Sequence, residues 1–174
     1  ADRVTQEQKQ ELTAMKQQIL RWAPKCTANG ASFPCEVKGD GYESSGDSML
    51  WIGLLCLSGQ TEICSLVPRS FDSDGTAYRS PAKEHWPNGN FSRDMLIGYF
   101  AYLVQSPSQS LLATRFHDRV VDSGYLLCDN ATDNRCDIGP VQYRVLWAIW
   151  GQIWDRMGLE KTFDMEQADL GDDT

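Results

Sequence analysis

The side chains best suited to chemistry fall in one stretch of the chain. Tyr78, Arg79 and Ser80 precede His85, and Ser92, Arg93 and Asp94 follow closely. An arginine offers a permanent charge on a planar fork that matches a carboxylate or sulfate. A histidine shuttles protons near neutral pH. An aspartate acts as a base or orients that histidine. Such a set suits an acidic sugar, with Arg79, Arg93 and Tyr78 binding it and His85 or Asp94 moving protons. A plainer role also exists for Asp94, which stands in a first helical turn where the dipole favours an acid. Asp40, Glu43 and Asp47 lie ahead of a strongly apolar run. Asp47 joins His85 and Asp94 as an expected acid–base group, although helix capping would explain it too.

Other groupings carry less. His117, Asp118 and Arg119 are consecutive on an expected helix, and consecutive helical residues do not face one another, so a boundary position is expected for them. Asp72 and Asp74, and further on Asp129, Asp133 and Asp137, offer oxygens to calcium. Asp72-Ser73-Asp74-Gly75 reads equally as a turn, and the position that would close an EF-hand is Pro81. No other cofactor is expected. Trp147, Trp150 and Trp154 repeat at helical spacing and could stack on a sugar ring or, more ordinarily, fill a core. No phosphate loop, serine elbow or zinc motif is present.

The elements that must position these groups are mainly helices. Thr5 to Trp22 forms the first, opened by a Thr5/Gln8 capping box and striped by Leu12, Met15, Ile19 and Trp22. Cys26 to Gly46 reads as a loop. Asp47 to Leu57 is apolar on every side and belongs in a core, capped by Ser45 or Asp47. Gln60 to Gly89 shows little period, apart from an expected short strand near Ile63 to Val67. Ser92 to Gln105 and Ser108 to Asp122 are capped by Ser92 and Ser108 and form an antiparallel hairpin. Pro140 opens a fifth helix that runs to Gly158.

The six cysteines form close pairs, Cys26 with Cys35, Cys56 with Cys64, and Cys128 with Cys136. Local pairing would staple three loops and point to a secreted, extracellular or periplasmic protein. Opening on Ala1 fits removal of a signal peptide. No stretch is long and apolar enough to span a membrane. The net charge is −8, which disfavours nucleic acid and allows a basic protein partner. Residues 1–160 read as one helical domain, and 161–174 as an acidic tail expected to be mobile.

Five helices joined by long, disulfide-stapled loops describe either a helical bundle or part of an α/α toroid. The layout from Gly46 to Gly158, apolar helices alternating with elaborate polar loops, resembles the (α/α)-toroid glycan-processing hydrolases and lyases. That resemblance implies a polysaccharide or cell-wall glycan as substrate. Five helices do not close a toroid, so a second chain or a homo-oligomer through the Trp-rich helix is a corollary. The alternative function is an acidic, disulfide-stapled inhibitor, immunity or adhesive module that binds another protein.

Overall fold

The structure is a computed structural model. It describes residues 5–22, 25–28, 30–37, 43–86, 90–124, 126–128 and 144–159. It is mainly helical, with α1 (Gln6–Trp22), α2 (Ser48–Leu57), a short α3 (Leu66–Arg69), α4 (Arg93–Gln105), α5 (Ser110–Asp122) and α6 (Arg144–Arg156). Two antiparallel strand pairs precede α2: β1 (Lys25–Ala28) with β2 (Ala31–Pro34), and β3 (Glu36–Val37) with β4 (Glu43–Ser44).

The capping box of α1 forms as expected. The Thr5 N–H donates to Gln8 Oε1 at 2.9 Å and the Gln8 N–H to Thr5 Oγ1 at 3.2 Å. The Lys16 ammonium donates to the Ser58 carbonyl, fixing α1 against the end of α2. Leu12 and Met15 nevertheless remain exposed.

The other helices share one core. α2 and α4 meet at Gly53 and Gly98, where a Cβ on either residue would overlap the other helix's backbone. Only glycine permits this approach. Tyr99 of α4 stacks edge-on against Phe116 of α5 at 4.9 Å. Each ring lies six residues from the short link between the two helices, as an antiparallel hairpin requires. Phe116 then packs on Trp150 of α6 at 5.5 Å.

Several local expectations change. The segment from Cys26 to Gly46 is not a bare loop but carries the two strand pairs. Ile63 to Val67 is not a strand: Thr61–Ser65 forms a 3-10 turn that runs into α3. The Cys56–Cys64 disulfide ties the end of α2 to this turn, with the two Cα atoms 4.9 Å apart. Neither Asp47, Ser92 nor Ser108 caps through its side chain, and Gln109 takes the cap position of α5. Cys26–Cys35 is also bonded as expected. Cys128 is in a disulfide, and Cys136 lies outside the described residues.

Candidate functional site

Segments that carry most of the expected site residues meet at a buried arginine. Arg79 is only 9% exposed. Its Nε–H donates to the Asn90 carbonyl at 2.7 Å, and its Nη1 donates to the Gly46 carbonyl at 3.1 Å. Gly46 lies just before α2 and Asn90 just before α4. One guanidinium therefore holds the starts of both helices together. Gly53 and Gly98 are each the sixth residue of their helix, so the two helices run in the same direction. The Met49 N–H completes the tie by donating to the Arg79 carbonyl at 2.9 Å.

A polar network locks the connecting loop onto this end. The guanidinium carbon of Arg79 lies 5.4 Å from the centroid of the Trp86 ring, within cation–π range. The Trp86 indole N–H donates to Ser45 Oγ at 2.9 Å. The buried Ser80 hydroxyl also donates to Ser45 Oγ, and the Ala82 N–H donates to Ser80 Oγ. These bonds occupy Ser45, so it is unable to cap α2. A buried polar network of this kind fixes a geometry because unmaking any member is costly.

The remaining expected residues sit on or near this frame. Asp47 follows Gly46, His85 precedes Trp86, and Arg93 and Asp94 open α4. His85 and Asp94 are exposed, and Asp47 and Arg93 are half-buried. The side chains of His85, Asp94 and Asp47 make no hydrogen bond or ion pair among the described residues. The two helix starts also bring two partial positive charges close together.

Tyr78 faces a different set of partners. Its hydroxyl donates to Asp72 Oδ2 at 2.7 Å, and the Lys83 ammonium lies 2.6 Å from Asp72 Oδ1. The bond to Asp72, with burial, raises the Tyr78 phenol to about 12. The bond from Lys83, then that from Tyr78, holds Asp72 below the ordinary carboxylate value. Asp74 accepts from the Thr76 backbone and hydroxyl and lies 4.0 Å from Arg119. Both acids of the candidate calcium turn thus have partners. No cluster of three metal-ligating side chains occurs among the described residues, and Asp129, Asp133, Asp137 and Asp40 fall outside them.

His117 departs from its expected boundary position. It is 4% exposed, with its ring 4.6 Å from that of Trp154 and 5.9 Å from that of Trp150. Its Nδ1 lies 3.1 Å from Asp118 Oδ1, so these neighbours do touch. Asp118 reaches back from a position exposed to solvent, while Arg119 turns toward Asp74. Trp150 and Trp154 are buried in the chain's own core, and the Trp147 side chain lies outside the described residues.

A separate groove was not expected from the sequence. It has a volume of about 350 Å3 and lies between β2, the second half of α2 and the 3-10 turn. Phe33, Pro34, Leu55, Ile63 and Leu66 give it an apolar lining, and Lys25, Glu62 and Arg69 stand around it. Its walls come from elements separated in sequence, and no motif announces it.

No family model matches the chain, and no curated protein or solved structure matches it.

Proposed function

We propose that this protein binds or acts on an acidic glycan at the end where α2 and α4 begin. The observation that carries the reading is the Arg79 tie, because Asp47, His85, Arg93 and Asp94 each stand within a few residues of a segment that it joins. In this reading Arg93 and the helix starts hold a uronate carboxylate, and His85, Asp94 or Asp47 perform acid–base work. Arg79 then positions the site from beneath, and Tyr78 belongs to the Asp72 cluster beside it. The parallel course of α2 and α4, with α5 folded back on α4, supports the partial-toroid layout. The disulfides Cys26–Cys35 and Cys56–Cys64, with that of Cys128, support an oxidising, secretory location. Among the described residues no helix is long and apolar enough to cross a membrane.

The test is calorimetric titration with oligogalacturonate and a neutral oligoglucan, alongside assays for new reducing ends and for unsaturated uronate products. Oligogalacturonate is expected to bind preferentially, and more weakly as salt rises. Arg93→Met is expected to weaken binding. His85→Ala and Asp94→Asn are expected to reduce turnover while leaving binding largely intact. Equal affinity for both sugars, or variants indistinguishable from wild type, would sink the reading.

A second reading, a module that binds a basic protein, is favoured by where the charge lies. Glu160, Asp164, Glu166, Asp169, Asp172 and Asp173, against Lys161, supply five of the eight net negative charges. Binding of a basic partner that persists in Arg93→Met and is lost without residues 160–174 would select this reading.

A further inference from the structure

We infer that the groove beside the two disulfides is a binding site for a free, medium-chain carboxylate: an anionic amphiphile with one apolar tail. Its volume of about 350 Å3 lies within the range of roughly 300–1,000 Å3 typical of small-molecule sites. Such sites combine an apolar lining with a few polar groups that orient the ligand. Here Phe33, Leu55 and Leu66 are almost fully buried, and Ile63 is partly exposed above them. This surface receives a hydrocarbon tail.

The charges around the groove select the head group. Lys25 and Arg69 are both exposed, and neither side chain makes an ion pair or hydrogen bond among the described residues. Glu62 also lines the groove, yet it pairs with neither cation there. Two cations against one acid leave a local positive surplus in a chain whose net charge is −8. A carboxylate complements that surplus, whereas an ammonium would face it.

The walls are set before a ligand arrives. The Cys26–Cys35 disulfide closes the β1–β2 hairpin, which contributes Lys25, Ala31 and Phe33. The Cys56–Cys64 disulfide joins the residues that follow Leu55 and Ile63 on the opposite side. A preorganised groove binds with little ordering cost. Leu55 lies eight residues along α2 from Asp47, about 12 Å at helical rise. The groove's Pro34 carbonyl does accept from Ser48 Oγ at the start of α2, so the two sites are told apart by which residues respond to a ligand.

The test is an amide-shift titration with octanoate, octylammonium and 1-octanol, each kept monomeric. Octanoate is expected to move Ala31 to Phe33 and Ile63 to Leu66, and to bind about tenfold tighter than octylammonium at low salt. The paired reversals Lys25→Glu and Arg69→Glu, both exposed, are expected to invert that preference. Glu62→Gln is expected to tighten octanoate about two- to threefold. The inference is overturned if octanoate and 1-octanol bind alike or if none of the three binds. Shifts at His85, Arg93 and Asp94 instead of the groove also overturn it. So does binding to anionic vesicles without any response to octanoate.

Discussion

At the scale of single residues, Arg79 is the least replaceable group in the candidate site. Its fork satisfies two carbonyls from segments 33 and 11 residues away. Arg79→Met leaves those carbonyls without their donor and should cost about 2–4 kcal/mol in urea unfolding. Arg79→Lys should recover only part of that loss, because an ammonium lacks the planar fork. Tyr99 presents the opposite case. Its hydroxyl is fully buried and has no hydrogen-bond partner among the described residues. Tyr99→Phe should therefore leave stability unchanged or raise it by about 1 kcal/mol. A clear loss in the melting curve would show that the hydroxyl has a partner.

Asp72 gives a pH signature on the same scale. Its carboxyl is lowered from the ordinary 3.8 by Lys83 first and Tyr78 second. Its stabilising effect is thus present above that ordinary value and lost as pH falls through the lowered one. Tyr78 is raised from 10 to about 12, chiefly by its bond to Asp72. Its effect is present below 10 and lost as pH climbs from there toward 12. Asp72→Asn should flatten both limbs of the stability profile and let Tyr78 ionise earlier in an ultraviolet titration. An unchanged alkaline limb would contradict the bond.

At the scale of elements, the α2–α4 contact decides the core. Gly53→Ala or Gly98→Ala places a methyl group into backbone and should cost about 3 kcal/mol or more, measured by chemical unfolding. The longer helices were legible in the sequence because their apolar residues recur at helical spacing, whereas α3, one turn long, was not. The α1 capping box was legible from the spacing of Thr5 and Gln8. The strand pairs before α2 were not, since strands of two to four residues show no usable period. Ile63 to Val67 looked like a strand by composition, yet five apolar or small residues are too few to separate a strand from the 3-10 turn and short helix that form there. The candidate residues were legible as types, whereas their partners were not. Arg79 looked like a substrate clamp because its true partners are backbone carbonyls, which no side-chain pattern reveals. His117 was misplaced because Trp150 and Trp154, distant in sequence, close over it.

At the scale of the whole molecule, charge and packing are partitioned. The core of α2, α4, α5 and α6 is apolar and aromatic, while much of the acidic surplus belongs to residues 160–174. Removing that segment deletes five of the eight net negative charges. Oligogalacturonate affinity should then hold or improve at low salt, because long-range repulsion falls. Weaker affinity would mean that the segment itself takes part in the site.

The two mapped disulfides have one more consequence. They join residues only 9 and 8 positions apart, so each restrains a small piece of chain rather than linking distant parts of the fold. Opening both should cost about 2–3 kcal/mol apiece by loop entropy, while the glycine-to-glycine helix contact stays intact. A reducing milieu would then act on this molecule as a dial and not as a switch. The groove walls would loosen and its occupant would leave, while the Arg79 end kept its shape.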